Sequence, residues 1–500
     1  MHTRNPRFFK LGAICGILKA PLFMQSQIPL SKKGGPLFRQ IYLRLREEIL
    51  SGVYRSGEKL PSTREVAEQL KVSRTIVLLA YDQLLAEGFA VGRAGSGTFV
   101  SGHLIRSGPR KTNKTVKLPL SRFGSAAAAA AASVSFPNRP KPPSRYDFAY
   151  GRTDVTIFPF EAWRRILLHH ARMAPVREFE YGQAAGSPAL REAICAHLRR
   201  SRAVVCDPTE VIVVSGSQQA LDLVARVLVE RGDRVAIEDP QYLGAREVLL
   251  AAGATLRPVP VDRDGLNPAK LPQDVSLVFV TPSHQFPTGA ILPLGRRLAL
   301  LEWATRMNLI IVENDNAGEF HSEGRPLESL QGLDTDGRII YIGTFSRTIF
   351  PSLRIGYLIV PKSLVSSFTS AKWLCDQHTA TLEQETLAEF LTNGMYERHL
   401  RRLRRKNTER RGKLLSAIRT YLGDRVEVTG DHSGTHIVLW PKKSVSESGI
   451  IAEAAKHGVG IYGISPYFLK RPSRTGLMLG YSRMNEAEIV EGVRRLSKII

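Results

Sequence analysis

Apolar residues recur at helical spacing near the start of the chain. In the stretch PLFRQIYLRLREEILSG, Leu37, Ile41, Leu45 and Ile49 fall one turn apart, and a glycine ends the run. Two shorter helical patterns follow, KLPSTREVAEQL and KVSRTIVLLAYDQLLAEG. The next stretch, FAVGRAGSGTFV, alternates around glycines as a two-stranded hairpin does. The pattern therefore predicts three helices and a hairpin over residues 36–101.

The second and third predicted helices carry start signals and are joined by a tight turn. Ser62 is a good N-cap, Glu65 completes a capping box, and Ser73 is expected to cap the third helix. Two short helices joined at Lys71-Val72 are typical of a helix-turn-helix, and the hairpin after them is typical of a wing. This predicts a winged helix-turn-helix domain.

The next part of the chain has a different composition. Residues 102–146 contain nine lysines and arginines, no acidic residue, and the alanine run Ala126–Ala132. Such a segment cannot build a core, so we expect a flexible basic linker that either contacts phosphates or serves only as a tether.

Residues 1–35 are predicted to be a disordered extension without a signal-peptide pattern, and Met24 is an alternative start to Met1.

From residue 147 to residue 500, apolar β-rich runs alternate with helical stretches. VIVVSG, RVAIEDP, SLVFVTP, LIIVEND and RIIYIGTF are strand-like, and QQALDLVARVLVERG is helical. This alternation predicts an α/β domain with a buried, mostly parallel sheet and helices on both faces. From about residue 390, a long basic helix, strand-like segments and an amphipathic final helix predict a small C-terminal α+β subdomain.

The charge of the chain indicates its class of partner. There are 70 lysines and arginines against 46 acidic residues, a net charge of +24, which favours a polyanionic partner such as nucleic acid over a merely basic protein. Four cysteines without CxxC or metal-like spacing predict a reduced cytoplasmic protein without a metal site. No run approaches the ~18 apolar residues that a membrane span needs, so we expect no membrane partner.

The segment LPSTREVAEQLKVSRTIVLLAYDQLLAEGFAVGRAGSGTFV resembles the GntR family of bacterial regulators. The resemblance implies that Arg64, Arg74 and Thr75 contact DNA, with Ser73 at the start of the same helix. Gly95 in the wing would allow close approach to the DNA backbone. Independently, side chains in the first turn of a recognition helix can reach base edges and phosphates in the major groove. Double-stranded promoter DNA is the predicted partner.

Four further motifs occur in the order found in fold-type I aminotransferases: SGSQQALDLVARVLVERGDRVAIEDPQYLGAR, TPSHQFPTG, GTFSR with PSLRIGY, and LGYSRMNEAEIVEGVRRL. With its winged helix, the chain resembles the MocR-type branch of the GntR regulators over residues 36–100 and 147–500. The resemblance implies an aminotransferase-like effector-binding domain, a head-to-tail homodimer, and pyridoxal phosphate as the cofactor of the fold. The positions that match its phosphate and ring contacts are Ser217, Gln218, Tyr242, Thr344, Ser346 and Arg354.

At three positions the chain departs from the family pattern. The Schiff-base lysine falls on Arg347, whose guanidinium stays protonated and is no carbonyl nucleophile. The aspartate that keeps the pyridine nitrogen protonated falls on Asn314, and the tyrosine that donates to the ring oxygen falls on Asn316. Strand alternation points Asp315 to the opposite face. We therefore predict no catalytic residue, and pyridoxal phosphate, if bound, is expected to be held without a covalent bond.

One arginine remains as a candidate for binding a substrate carboxylate. Arg474 precedes the strand-like GLMLGYS and is the nearest match to the arginine that aminotransferases use there. A solvated position at the rim of the domain is the alternative interpretation of this residue.

Three functions are compatible with the sequence. The first is a DNA-binding transcriptional regulator whose aminotransferase-like domain dimerises and senses a small ligand, such as pyridoxal phosphate, an amino acid or another phosphorylated or carboxylated metabolite. The second is a pyridoxal-phosphate-dependent enzyme, or a regulator that still uses the cofactor. The third is a DNA-binding dimer whose C-terminal domain only sets the spacing of two winged helices. Arg347 counts against the second, and the retained phosphate-binding residues favour the first over the third.

Overall fold

A computed structural model of the chain describes residues 34–102, 119–133, 144–173, 180–320, 328–443, 445–470, 472 and 474–500. The chain divides into two compact units at Pro119 and Leu120. Most of the predicted N-terminal extension and much of the predicted linker lie outside the described residues.

The first unit has the three helices and the hairpin that the sequence predicts. Leu45, Val66, Val77 and Leu84 are fully buried and come from all three helices, so the helical stripes meet in one core. The two strands pair antiparallel. The elements are α1 (Leu37–Ser51), α2 (Thr63–Leu70), α3 (Arg74–Ala86), β1 (Ala90–Arg93) and β2 (Gly97–Val100).

The caps of these helices agree with the prediction in part. The Ser62 hydroxyl accepts from the Glu65 N–H at 3.2 Å, and the Glu65 carboxylate accepts from the Ser62 N–H at 2.7 Å, which completes the capping box. Lys71 makes the turn with φ 53°. The predicted cap by Ser73 is wrong for the side chain, which makes no cap bond within the described residues. The Ile76 N–H instead donates to the Ser73 carbonyl at 3.1 Å.

The second unit contains most of the helices and strands. Its helices are α4 (Arg122–Ser133), α5 (Phe160–Met173), α6 (Pro188–Arg202), α7 (Ser217–Leu228), α8 (Leu243–Ala252), α9 (Leu294–Met307), α10 (Leu330–Leu333), α11 (Val365–Asp376), α12 (Thr381–Thr392), α13 (Met395–Tyr421), α14 (Glu447–Lys456) and α15 (Glu486–Leu496). Its strands are β3 (Tyr146–Asp147), β4 (Val211–Val214), β5 (Arg234–Asp239), β6 (Thr255–Asp262), β7 (Gly265–Leu266), β8 (Leu277–Val280), β9 (Ile310–Asn314), β10 (Ile339–Thr344), β11 (Gly356–Ile359), β12 (Val426–Thr429), β13 (His436–Pro441), β14 (Val459–Gly460), β15 (Tyr462–Gly463) and β16 (Leu477–Gly480).

Eight of these strands form the large sheet, in the order β4-β11-β10-β9-β8-β5-β6-β7. The five central strands from β10 to β6 run parallel, whereas β11 and β7 are antiparallel to their neighbours. Val211 and Val213 pack with residues of α5, α6 and α12, and Ile212 and Val214 pack with residues of α7 and α8. Alternate side chains of one strand thus enter opposite layers. This confirms the prediction of a mostly parallel sheet covered on both faces.

The smaller part is built around a four-stranded antiparallel sheet in the order β12-β13-β16-β15. The short strand β3 pairs in parallel with β14, and the fully buried Phe148 packs in the core of this part. The segment from β3 to Phe148 therefore belongs with the C-terminal part of the second unit.

Inside the segment predicted as a flexible linker, residues 122–133 form the helix α4, which contacts α8. Alanine has the highest intrinsic helix propensity, so a run of alanines favours a helix once a neighbour packs against it. The prediction of a flexible segment was wrong for these residues. Residues 103–118 and 134–143 lie outside the described residues.

Within the described ranges, no helix is long and apolar enough to cross a membrane.

Candidate functional site

The side chains predicted to contact DNA are exposed on the first unit. Arg64 lies on α2, and Ser73, Arg74 and Thr75 lie at the start of α3, all with exposed side chains. Gly95 stands at the tip of the hairpin with φ 70°, a conformation that favours glycine. The first turn of α3 is therefore exposed, as contact with a groove of DNA would require.

In the second unit, a cavity of about 290 Å³ lies where several predicted residues meet. A smaller cavity of about 40 Å³ adjoins it and shares part of its wall, including Asn316 and Arg347. The predicted residues that line the two cavities are Ser217, Tyr242, Asn314, Asn316, Thr344, Ser346, Arg347 and Arg354.

One end of the larger cavity is the N-terminus of α7. This end of a helix presents unpaired backbone N–H groups and attracts anions. Arg354 lies beside it and donates from Nη2 to the Ser215 carbonyl at 2.8 Å. A methyl group at Gly216 would come within 2.8 Å of the same nitrogen, so the guanidinium packs directly on this backbone. The geometry suits a phosphate.

Two hydroxyl side chains complete this end of the cavity. The Thr344 hydroxyl accepts from the Ser346 N–H at 3.2 Å and so shapes the loop after β10. The Ser346 hydroxyl oxygen is buried and has no hydrogen-bond partner among the described residues. A buried hydroxyl without a partner costs free energy that a bound anion would recover.

Gln218, which was predicted to contact the phosphate, is held elsewhere. Its amide nitrogen donates to the Gly244 carbonyl at 3.2 Å, and the residue does not line the cavity. Its contact with a phosphate stays a prediction that would require this bond to break.

Arg347 lies half-buried in the wall shared by the two cavities. Its guanidinium packs against Gly151, where an added methyl group would lie 2.5 Å from Nη1. No carboxylate within the described residues lies within 4.0 Å of it. Burial lowers the pKa of Arg347, while the neighbouring Tyr242 and Tyr150 hydroxyls act to raise it. An arginine nevertheless stays charged in a protein.

Asn314 ends β9 and faces the smaller cavity. It is only 3 % exposed, and neither atom of its amide has a hydrogen-bond partner among the described residues. Asn316 also lines the cavity, and its Oδ1 is likewise buried and without a partner there. Asp315 points away, as the strand alternation predicts, and its Oδ2 accepts from Arg202 Nε at 2.7 Å.

Arg474 does not join these residues. Its Nη1 is 2.5 Å from Glu427 Oε2, and its guanidinium lies 4.1 Å from the centre of the Trp440 ring. It lines a different cavity, and about half of its side chain is exposed. The predicted carboxylate contact is therefore not part of the arrangement around Arg347, because these two partners hold the side chain on the rim.

The site has an aromatic wall, of which the sequence predicts Tyr242 but not Tyr150, Phe286 or Tyr467. The rings of Tyr150 and Phe286 lie 5.5 Å apart between centroids, those of Tyr242 and Phe286 6.0 Å, and the Tyr150 and Tyr467 hydroxyls bond to each other. Phe286 belongs to the motif TPSHQFPTG, whose resemblance to aminotransferases alone gives this ring no role. Tyr150 and Tyr467 are 317 residues apart in the chain.

His436 is a second missed residue. It lies at the start of β13, lines the smaller cavity and donates from Nε2 to the Pro287 carbonyl at 2.9 Å. Burial lowers the pKa of His436 to about 4, the hydrogen bond to Pro287 opposes the shift, and the charge of Arg347 adds to it. The imidazole is therefore neutral at neutral pH.

The residues fit one part of pyridoxal phosphate and not another. Arg354, the start of α7 and the Ser346 hydroxyl fit its phosphate, and the aromatic wall fits a flat ring. Within the described residues, however, no lysine lines either cavity, and the smaller cavity is lined by the neutral Asn314, at the position where the family resemblance implies a carboxylate for a protonated ring nitrogen. Binding groups are present without a nucleophilic amine. The described residues also contain no cluster of acidic, histidine and cysteine side chains suited to a metal.

Comparison with known proteins agrees with this two-part organisation. Residues 37–100 match the family described as bacterial regulatory proteins, gntR family, and residues 151–495 match aminotransferase class I and II. The probable rhizopine catabolism regulatory protein MocR of Rhizobium meliloti is 38% identical over 463 residues, which are 92% of this chain and 93% of that protein. The chain belongs to the MocR-type branch of the GntR regulators.

Other MocR-type relatives extend the comparison over nearly the same length. The HTH-type transcriptional regulator TauR of Rhodobacter capsulatus is 34% identical, covering 93% of this chain and 97% of that protein. The pyridoxine biosynthesis transcriptional regulator PdxR of Corynebacterium glutamicum is 30% identical, covering 89% and 92%. Both relatives are named as transcriptional regulators, and this MocR-type chain is likewise a transcriptional regulator with an aminotransferase-like domain.

Among solved structures, the second unit is similar to aminotransferases. The kynurenine aminotransferase of Pyrococcus horikoshii matches with a TM-score of 0.68 at 26% identity, covering 77% of this chain and 96% of that one. LysN, the α-aminoadipate aminotransferase of Thermus thermophilus, matches with a TM-score of 0.68 at 27% identity, covering 76% and 98%. The predicted fold-type I architecture of this MocR-type regulator is confirmed.

Proposed function

We propose that this MocR-type regulator binds promoter DNA through its winged helix and that its aminotransferase-like domain holds an anionic, phosphate-bearing ligand without covalent attachment. The domain acts as a sensor and performs no transamination. Pyridoxal phosphate is one ligand of this class.

The observation that carries the proposal is the set of charges in the two adjoining cavities. Their described lining residues include Arg347 and Arg354 and no aspartate or glutamate. The buried Asn314 amide faces the same space, and no residue that the structure describes pairs with it. Positive charge, unpaired polar groups and an aromatic wall together favour binding of an anionic ring compound.

Catalysis is disfavoured by the same residues. A transaminating site needs an amine that attacks a carbonyl and afterwards moves a substrate proton. Arg347 supplies neither function, because its guanidinium holds its proton at any physiological pH. The enzyme alternative would need a lysine from outside the described residues to reach the cavity.

Control of transcription follows from coupling the two units. In the head-to-tail homodimer that the family resemblance implies, each linker carries a winged helix toward the partner subunit, and the dimer reads two half-sites. A ligand that binds one arrangement of the dimer more tightly shifts the population toward that arrangement. The affinity for the operator then changes by up to the ratio of the ligand's affinities for the two arrangements.

Calorimetric titration with pyridoxal 5′-phosphate tests the binding site. We expect reversible binding by the natural chain and a loss of at least tenfold, about 1.4 kcal/mol, in the Arg354→Gln variant. Arg474→Gln is the matched control, because it removes an arginine from the other cavity, and it should leave the affinity unchanged. Absence of binding by the natural chain would contradict the proposal, and a loss confined to Arg474→Gln would move the site to the rim.

A further inference from the structure

The two arginines that line the larger cavity pack their guanidiniums on different glycines. Arg354 packs on Gly216 at the start of α7, and Arg347 packs on Gly151, which precedes α5. Both line the same space of about 290 Å³. An anionic group bound at the start of α7 would engage Arg354, the guanidinium that lies beside it.

An unpaired, partly buried guanidinium is costly unless an anion joins it. Within the described residues no carboxylate lies within 4.0 Å of Arg347, and the titratable groups that act on its pKa are the Tyr242 and Tyr150 hydroxyls. His436, which shares the smaller cavity, cannot supply negative charge. A second anionic group on the ligand would supply the counter-charge that the described residues do not place beside Arg347.

The space between the two arginines suits a flat ring. Tyr150, Tyr242 and Phe286 line it, with ring centroids 5.5 to 6.0 Å apart in the contacts that Phe286 makes. The Asn314 amide faces the adjoining cavity with a donor and an acceptor, neither of which has a partner in the described part of the chain. An amide pairs with neutral ring nitrogens and hydroxyls, whereas a carboxylate would select a protonated nitrogen.

We propose that the ligand is a planar, ring-neutral compound with a phosphate at one end, bound by Arg354 and the start of α7, and a carboxylate at the other, bound by Arg347. The inference rests on the function proposed above and adds the second anion. A guanidinium binds a carboxylate through two parallel N–H···O bonds, which an aldehyde or an alcohol cannot form. The site thus selects an oxidised, acid form of a phosphorylated ring over its aldehyde.

Three probes that differ at one position test this inference. Pyridoxine 5′-phosphate carries a hydroxymethyl group, pyridoxal 5′-phosphate an aldehyde and 4-pyridoxic acid 5′-phosphate a carboxylate on the same ring carbon. Calorimetric titration of the full-length chain should give a dissociation constant at least tenfold lower for the carboxylate than for the hydroxymethyl compound. The aldehyde should bind like the hydroxymethyl compound.

Two variants assign the effect to its residue. In Arg347→Gln the preference for the carboxylate should fall below about threefold, while the hydroxymethyl probe binds nearly as before. In Arg354→Gln the affinity for each of the three probes should fall at least tenfold, and the order of the three affinities should stay the same. Circular dichroism checks the folding of each variant. If a variant fails to fold, the ratio of the dissociation constants of the hydroxymethyl and carboxylate probes, measured on the natural chain, still tests the preference for a carboxylate.

The outcomes separate the inference from the proposed function. Equal binding of the three probes by the natural chain would overturn the carboxylate inference and leave phosphate binding intact. No binding of any probe would overturn both. A preference that persists in Arg347→Gln would also overturn the assignment, because the carboxylate would then contact another residue.

Discussion

Asp315 and Arg202 form a buried salt bridge, with Asp315 Oδ2 2.7 Å from Arg202 Nε and both side chains 2% exposed. The Tyr341 hydroxyl donates to the same carboxylate oxygen at 2.7 Å, and the Gly318 N–H donates to the other at 2.9 Å. Asp315 therefore fixes the chain after β9 and leaves the cavity to Asn314. Of the two acidic residues that flank Asn314, Asp315 is held by these bonds, and the Glu313 carboxylate accepts from the Leu330 and Gln331 N–H groups at 3.0 Å each.

Removal of this carboxylate should be far more costly than removal of one at the surface. Asp315→Ala leaves the Arg202 charge buried without its partner, so we expect the free energy of unfolding to fall by about 3–5 kcal/mol. Glu427→Ala breaks the exposed pair with Arg474 and should cost about 0–1 kcal/mol. Urea denaturation of the full chain measures both. A similar loss in the two variants would contradict the buried role of Asp315.

Restoring a lysine should restore covalent chemistry. Arg347→Lys places a neutralisable amine in the wall of the cavity, and we expect pyridoxal 5′-phosphate to form an adduct with it that borohydride reduces. Arg347→Gln is the matched control and should give none. Peptide mass mapping locates the adduct. If the lysine variant binds the compound and stays unmodified, the aldehyde does not face position 347.

Much of this arrangement could be predicted from local patterns. The helical spacing around Leu45, the capping box of Ser62 and Glu65, and the alternation that turns Asp315 away from Asn314 are all properties of neighbouring residues, and the structure confirms them. Short-range periodicity fixes which face of an element a residue occupies.

Other features depend on contacts between distant parts of the chain. The pairing of β3 with β14 joins segments more than 300 residues apart, and Tyr150 contacts Tyr467 across 317 residues of sequence. The helix α4 forms where composition alone indicated a linker, because alanine propensity combines with packing on α8. The placement of Arg474 on the rim depends on Glu427, a partner that spacing does not reveal.

The neutral histidine in the site predicts a pH dependence of stability. Burial lowers the pKa of His436 to about 4, against about 6.5 in an unfolded chain. Between these values the unfolded state binds a proton that the folded state does not, so this contribution to stability is full above about pH 6.5 and falls as the pH drops toward 4. We expect His436→Gln to reduce the slope of unfolding free energy against pH by up to about 1.4 kcal/mol per unit. An unchanged slope between pH 6.5 and 4.5 would contradict the buried neutral state.

The recognition helix predicts a loss of DNA affinity on a single substitution. Arg74 is exposed in the first turn of α3, so Arg74→Ala should weaken specific operator binding by about 1–3 kcal/mol. Arg39→Ala removes an exposed cation from α1 and should have a smaller effect. Fluorescence anisotropy with an operator fragment and with unrelated DNA, at one salt concentration, measures the difference. Equal losses on both DNAs would indicate a phosphate contact without base recognition.

The central claim is that the cavity binds its ligand without a covalent bond. Its most direct test is borohydride treatment of the natural chain saturated with pyridoxal 5′-phosphate, followed by intact-mass and peptide-mass measurement. The account predicts reversible binding by titration and no added phosphopyridoxyl group on any residue of the cavity. A stoichiometric phosphopyridoxyl group on a lysine that reaches this site would contradict it.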